Sequence, residues 1–348
     1  AVSNTVGGGI LALAKAGTAR YADGKNDSDY RYAGAVTVTS SATVSGDTFG
    51  IAALSVAGPG TYTSHEDYTA GGTSGGVKVY STASVYAGAG PAILAASYGG
   101  NTPFNRNQFG ITYNRDDGYS RDDEVSTLAY GAGGGVAGPA EVYLGLGRFF
   151  DGKIVSKGAG QPSWSTRYNN FELARNTGAG IMAISRGGDG LGRYRKQGIY
   201  TYTTTFAGAP SAAVSITVLT NGNAAISTYG AQSPAVLAIS QGGNSSGFKD
   251  LSVTGGDAGT AFVSLYGPGK LSTAGAYSSG LVAQSLGGGG SNNKTDISQG
   301  GATGSVTVYN DFSIVTKGDR SSGILAQSVS ASAANGDYAL SGEEPFVW

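Results

Sequence analysis

Three observations predict an all-β chain that winds into a stacked solenoid, a right-handed parallel β-helix. An apolar-x-Ala-x-Ser segment recurs along the 348 residues, the apolar positions alternate with a period of two, and glycine marks the corners between the alternating runs. Glycine reaches 61 residues, far above the usual ~7%. A period of two excludes helices, whose apolar period is 3.6. Copies that turn the same way at each corner stack Ile on Ile, Ala on Ala and Ser on Ser, which suits a narrow solenoid interior.

The series opens at Ile10/Ala12/Ala14. It continues with Ile51/Ala53/Ser55, Ile93/Ala95/Ser97, Ile181/Ala183/Ser185, Val236/Ala238/Ser240, Leu281/Ala283/Ser285 and Ile324/Ala326/Ser328, which together form the predicted stacking core. The serines at 55, 97, 185, 240, 285 and 328 are separated by 42, 88, 55, 45 and 43 residues. The period is therefore near 43, and the gap of 88 reads as two periods with one degenerate copy. Residues 101–170 are expected to be a degenerate or inserted region of a single solenoid spanning 1–348.

Two shorter runs precede each copy. In the last unit they are Val306/Val308 and Ile314/Thr316; in the one before, Val263/Leu265 and Leu271/Thr273. Gly318/Gly323 and Gly275/Gly280 hold the corners. The step from second to third run is ten residues at 314–324, 271–281, 226–236 and 83–93, and one shorter at 42–51. Leu286–Ser305 has almost no apolar period, so each unit reads as one coil plus a Gly-rich excursion.

Charge is 13% and the apolar fraction 40%, and the β-branched runs stay in register, which argues against the disorder that so much glycine could signal. A net charge of −1 excludes a nucleic-acid partner, which needs a basic face. Cysteine is absent, removing disulfides, thiolate metal sites and a Cys nucleophile. No apolar run approaches the ~20 residues of a membrane-spanning helix. The single Met is Met182, and the chain opens on Ala1, as expected of a processed product or a piece of something larger.

The unit Ser-x-Gly-(Ile/Leu)-x-Ala-Gln-Ser, followed at Leu286 by four glycines, resembles the passenger repeats of bacterial autotransporters (type V secretion). Ile314–Gly323 is similar to the segment that precedes it in those repeats. The resemblance covers about 205–330 most closely, 1–100 more weakly and 101–170 poorly. It implies a secreted β-helical passenger, displayed on or released from a Gram-negative cell surface. No membrane-barrel segment follows the repeats in this sequence, and the Gly-rich excursions are large for the family.

Residues interleaved with the stacking core point outward: Leu11/Leu13, Ala52/Leu54, Leu94/Ala96, Met182/Ile184, Leu237/Ile239, Val282/Gln284 and Leu325/Gln327. Most are apolar where a solvated face would be polar. A cover is expected, either excursions such as Gly242–Gly256 and Gly287–Gly304 or a second subunit. The ends carry no capping helix, so removed neighbouring repeats, end-to-end stacking and exchange of terminal strands are all open. Self-association, end-to-end or lateral, is the expected partnership.

Chemical motifs are sparse. His65, the only histidine, lies in Ser64-His65-Glu66-Asp67, and a triad cannot converge from sequence neighbours on an extended segment. Two acidic turns could offer calcium oxygen ligands, Asp23/Asp27/Asp29 and Asp116/Asp117/Asp122. The first has the look of a polar loop, and the second contains two arginines and reads as a self-neutralising loop. No other cofactor is expected. The Gly187–Gly192 run lacks the following helix that a phosphate loop needs and reads as a corner. Tyr194, Tyr200 and Tyr202 read as cross-strand packing or a platform for host or matrix glycans. These features favour an extracellular structural or adhesive protein, with self-assembly into fibres as one form of it, over a glycan-binding module. A carbohydrate-active enzyme would need paired acids recurring on one face, which the sequence lacks.

Overall fold

A computed structural model describes residues 9–17, 31–60, 70–101, 133–158, 178–190, 207–245, 254–290 and 300–331 in full. It describes the backbone alone of the strand segments at 2–4, 21–22, 25–26, 191, 193–197, 200–204, 246, 291–292 and 334–335. The chain is a parallel β-helix with no α-helix among the described residues.

Each coil contributes one strand to each of three parallel sheets. The first coil runs Val36–Ser40, Val44–Gly46, Ile51–Val56, and the second Val77–Ser81, Val85–Ala87, Ile93–Tyr98. The third runs Ala140–Leu144, Lys153–Ser156, Ile181–Arg186, and the fourth Val214–Leu219, Ala225–Thr228, Val236–Gln241. Ala261–Tyr266, Lys270–Thr273 and Leu281–Leu286 form the fifth, and Val306–Asn310, Ser313–Thr316 and Ile324–Val329 the sixth. Val2–Asn4 and Ile10–Lys15 pair with the first coil from the other side. Each repeat is thus one coil, with a rise of about 4.8 Å set by parallel strand pairing.

Register explains the repeated motif. Ile51 pairs with Ile93, Ile93 with Ile181, Ile181 with Val236, Val236 with Leu281 and Leu281 with Ile324. Ala53, Ala95, Ala183, Ala238, Ala283 and Ala326 form the next row, and the six serines the row after it. Valines, isoleucines and leucines of the first and second sheets close the same core, with Phe150 and Phe312 filling its corners.

Three expectations are corrected. Ile93–Tyr98 pairs directly with Ile181–Arg186, so the 88-residue gap is one coil with long insertions and contains no degenerate copy. Ile154 stacks on Val85, not Ala83, with Ile226 above it, and Val44 rather than Ala42 holds this row in the first coil, so the ten-residue step belongs only to the last three coils. Ala83 and Val85 share parity, and the larger side chain takes the interior. Finally, Val306 faces Ala261 and Val308 faces Val263, a shift of two residues from the expected alignment.

The outward face of the third sheet is a second core. Ala52, Leu54, Leu94, Ala96, Met182, Ile184, Leu237, Ile239 and Val282 are all buried within the single chain, and so is Gln284. No second subunit is needed over these coils. Leu11 and Leu13, in the same rows, are 50% and 47% exposed, and Ile324 of the sixth coil is 45% exposed. Gln284 Nε2 donates to Gln327 Oε1 at 2.7 Å, continuing the outward row with a polar pair.

Candidate functional surface

The six serines do more than stack. Each closes its coil by donating to the carbonyl of a small residue where the chain re-enters the stack. Ser55 Oγ donates to Gly34, Ser97 to Gly75, Ser185 to Gly138, Ser240 to Ala212, Ser285 to Gly259 and Ser328 to Gly304, at 2.8–3.0 Å. The N–H groups of Gly75, Gly138, Ala212 and Gly304 donate at 2.9 Å to the serine of the preceding coil. Hydroxyl and backbone therefore alternate along the axis. Ser74 and Ser211 join the relay through Ser97 and Ser240 at 2.7 and 2.8 Å.

The paired glycines build a second axial structure. After each third-sheet strand the chain leaves the coil, and it returns before the next first-sheet strand; the two passages cross at Gly-Gly pairs. N–H groups of Gly72, Gly100, Gly135, Gly188, Ala209, Gly243, Gly256, Gly288 and Gly301 each donate to the carbonyl of the preceding crossing residue, beginning at Gly58, over 2.7–2.9 Å. At most of these glycines a Cβ would overlap a backbone carbonyl oxygen, for example Gly100 O at Gly188 and Ala209 O at Gly256. Ala209 is the single exception in the series. One residue past the crossing, Asn101 Oδ1 accepts the Asp189 N–H, Asp189 Oδ1 the Asn244 N–H and Asn244 Oδ1 the Gly289 N–H, all at 2.9 Å.

A third ladder lies between the second and third sheets. Thr228, Thr273 and Thr316 donate to the carbonyls of Ser233, Ser278 and Ser321. Ser233 and Ser278 N–H groups donate at 2.9 Å to Ser278 and Ser321 Oγ in the next coil.

The outward face of the first sheet is where aromatic and charged side chains meet solvent. Tyr80 and Tyr143 stack at 5.3 Å and 13°, beside a 3.1 Å Lys78–Glu141 ion pair that also accepts the Tyr143 hydroxyl at 3.2 Å. Hydrogen bonding to Glu141 raises the Lys78 ammonium above its usual range, while burial raises the Tyr143 phenol. Two strands on, Phe262 meets Tyr309 edge-on at 6.0 Å, and Tyr266 stacks on Tyr309 at 6.4 Å. Ser264 lies between them in register, fully buried with its hydroxyl unpaired. At the end of the third sheet, Arg186 pairs with Asp189 at 3.2 Å, and burial raises the neighbouring Tyr98 phenol well above its usual range.

Asp23, Asp27, Asp29, His65, Asp116, Asp117 and Asp122 lie outside the described residues. Among the described residues no three His, Cys, Asp or Glu side chains cluster as metal ligands, and no helix is long and apolar enough to cross a membrane. The Gly187–Gly188 pair belongs to the crossing. Arg193–Gln197 and Tyr200–Thr204 form an antiparallel hairpin, with Tyr194 opposite Thr203, Tyr202 opposite Arg195 and Tyr200 opposite Gln197.

Sequence reasoning missed the first-sheet aromatics and the crossing. Once register is known, Tyr80 and Tyr143 fall at equivalent positions, and Gly-Gly pairs flank nearly every excursion. The fold defines the class, a parallel β-helix repeat protein. Comparison with protein-family models, curated proteins and solved structures found no match for the chain.

Proposed function

We propose that the chain is an extracellular structural or adhesive protein in which the stack itself is the working part. The observation that carries this reading is the uninterrupted serine and backbone relay from Gly34 to Ser328, which ties all six coils along one axis. Polar groups across the described stack are used to hold coils together, in the manner of a load-carrying rod. The resemblance of the Ala-Gln-Ser repeats to autotransporter passengers supports export to a Gram-negative cell surface. Electron microscopy of the purified protein tests the structural reading: fibres with an axial repeat, or rods projecting from intact cells, are expected. Dispersed particles with no surface display would overturn it.

A second reading, a glycan-binding module, is favoured by the first-sheet aromatics. Tyr80, Tyr143, Phe262, Tyr266 and Tyr309 share one face with Lys78 and Glu141, whose charges cancel. Glycan-array binding that is lost in Tyr80→Ala and Tyr309→Ala, with the fold retained, would support this reading over the first.

A further inference from the structure

We propose that the glycine crossing is an insertion port, a fixed neck through which chain of arbitrary length leaves and re-enters the stack without joining its folding unit. This inference stands independently of the adhesive reading. The excursion between the two crossing residues of one neck varies from 12 residues (244–255 and 289–300) to 34 (101–134). The neck does not vary with it: the Gly135 N–H reaches Gly100 O at 2.7 Å, and the Gly256 and Gly301 N–H groups reach Gly243 and Gly288 at 2.8 and 2.9 Å. The register of the strands on either side is equally constant, since Ile93 meets Ile181 as directly as Val236 meets Leu281.

The physical basis is that both ends of each excursion are held by backbone bonds in two directions. Gly256 donates to Gly243, its partner across the neck, and accepts at 2.8 Å from Gly288 at the other end of the fifth coil. A Cβ at Gly256 would overlap Ala209 O, so apart from the methyl of Ala209 the neck has no room for side chains. Once the neck is closed, the closure cost grows only with the logarithm of loop length. What an excursion displays is thereby uncoupled from what holds the stack together.

The test uses the full chain with a twenty-residue Gly/Ser segment inserted between Lys249 and Asp250. The expected result is a Tm within about 2 °C of the parent, the modest loop-closure penalty for a chain of this size, and unchanged slow hydrogen exchange at the Gly256 and Gly288 amides. Gly256→Ala, with the natural excursion, should lose that protection and fall in Tm by considerably more. An insertion variant that loses Gly256 and Gly288 protection would overturn the proposal, as would a Gly256→Ala variant that keeps protection and Tm. Should Gly256→Ala fail to fold, the insertion variant decides alone.

Discussion

Ser185 Oγ lies 2.8 Å from the carbonyl oxygen of Gly138, 47 residues earlier, and accepts the N–H of Ala212 from the coil that follows. One hydroxyl thus serves two backbone groups in two coils.

Ser185→Ala should leave the half-buried Gly138 carbonyl and Ala212 N–H without that partner, a loss of about 1–3 kcal/mol. Ser264→Ala makes the same chemical change with the opposite result. Its hydroxyl is buried and unpaired, so removal should be neutral or stabilise by up to about 1 kcal/mol. Chemical denaturation of the two variants against the parent checks the sign of each.

Gly188→Ala should destabilise by about 3 kcal/mol or more, because the new Cβ would lie closer to Gly100 O than the 3.0 Å that real Cβ atoms keep, and the obstacle is backbone. At Gly34 a Cβ meets nothing within 4 Å, so Gly34→Ala should change stability by less than about 1 kcal/mol. Thermal unfolding of the pair distinguishes a crossing glycine from an open one.

Leu237→Ala should cost about 2–5 kcal/mol although Leu237 points away from the solenoid interior, since it is fully buried in the second core. Leu11→Ala, half exposed, should cost less than about 1 kcal/mol. Equal losses at the two positions would contradict a second core confined to the middle coils.

Alkaline pH should weaken the fold through Tyr98. Its phenol pKa is raised in the folded state by burial, so its contribution is intact below the unfolded value of 10.0 and is lost as pH climbs from there towards the folded value. Tyr98→Phe should flatten the fall in stability above pH 10.0, read as denaturation midpoints across the alkaline range. Lys78, raised by Glu141, acts in the same direction above 10.5, but as an exposed group contributes little.

The solenoid was legible because alternation and repeat spacing are local signals. Ile, Ala and Ser at fixed offsets announce which side chains share an interior. What escaped was information that lives between coils. Parity alone could not choose Val85 over Ala83, and a spacing of 88 carries no mark of whether residues are folded into a coil or excluded from it. The role of Gly135 is invisible without Gly72 beside it, because the reason for a missing Cβ is a carbonyl 63 residues away. The acids of the charged runs 23–29 and 114–124, prominent in the sequence, lie outside the described residues.

The crossing bonds all run one way. From Gly301 down to Gly58, every N–H is donated to an earlier crossing residue, either across a neck or across the two ends of one coil. Four of the serine hydroxyls, those of Ser55, Ser97, Ser185 and Ser285, keep the same sense, accepting from the later coil and donating within their own. The rod therefore has electrical polarity, with donors directed at one end and acceptors at the other, and neighbouring bonds in such a chain reinforce one another. Two rods meeting end to end keep donor facing acceptor along these lines only when both point the same way, so a filament built from them would be directional.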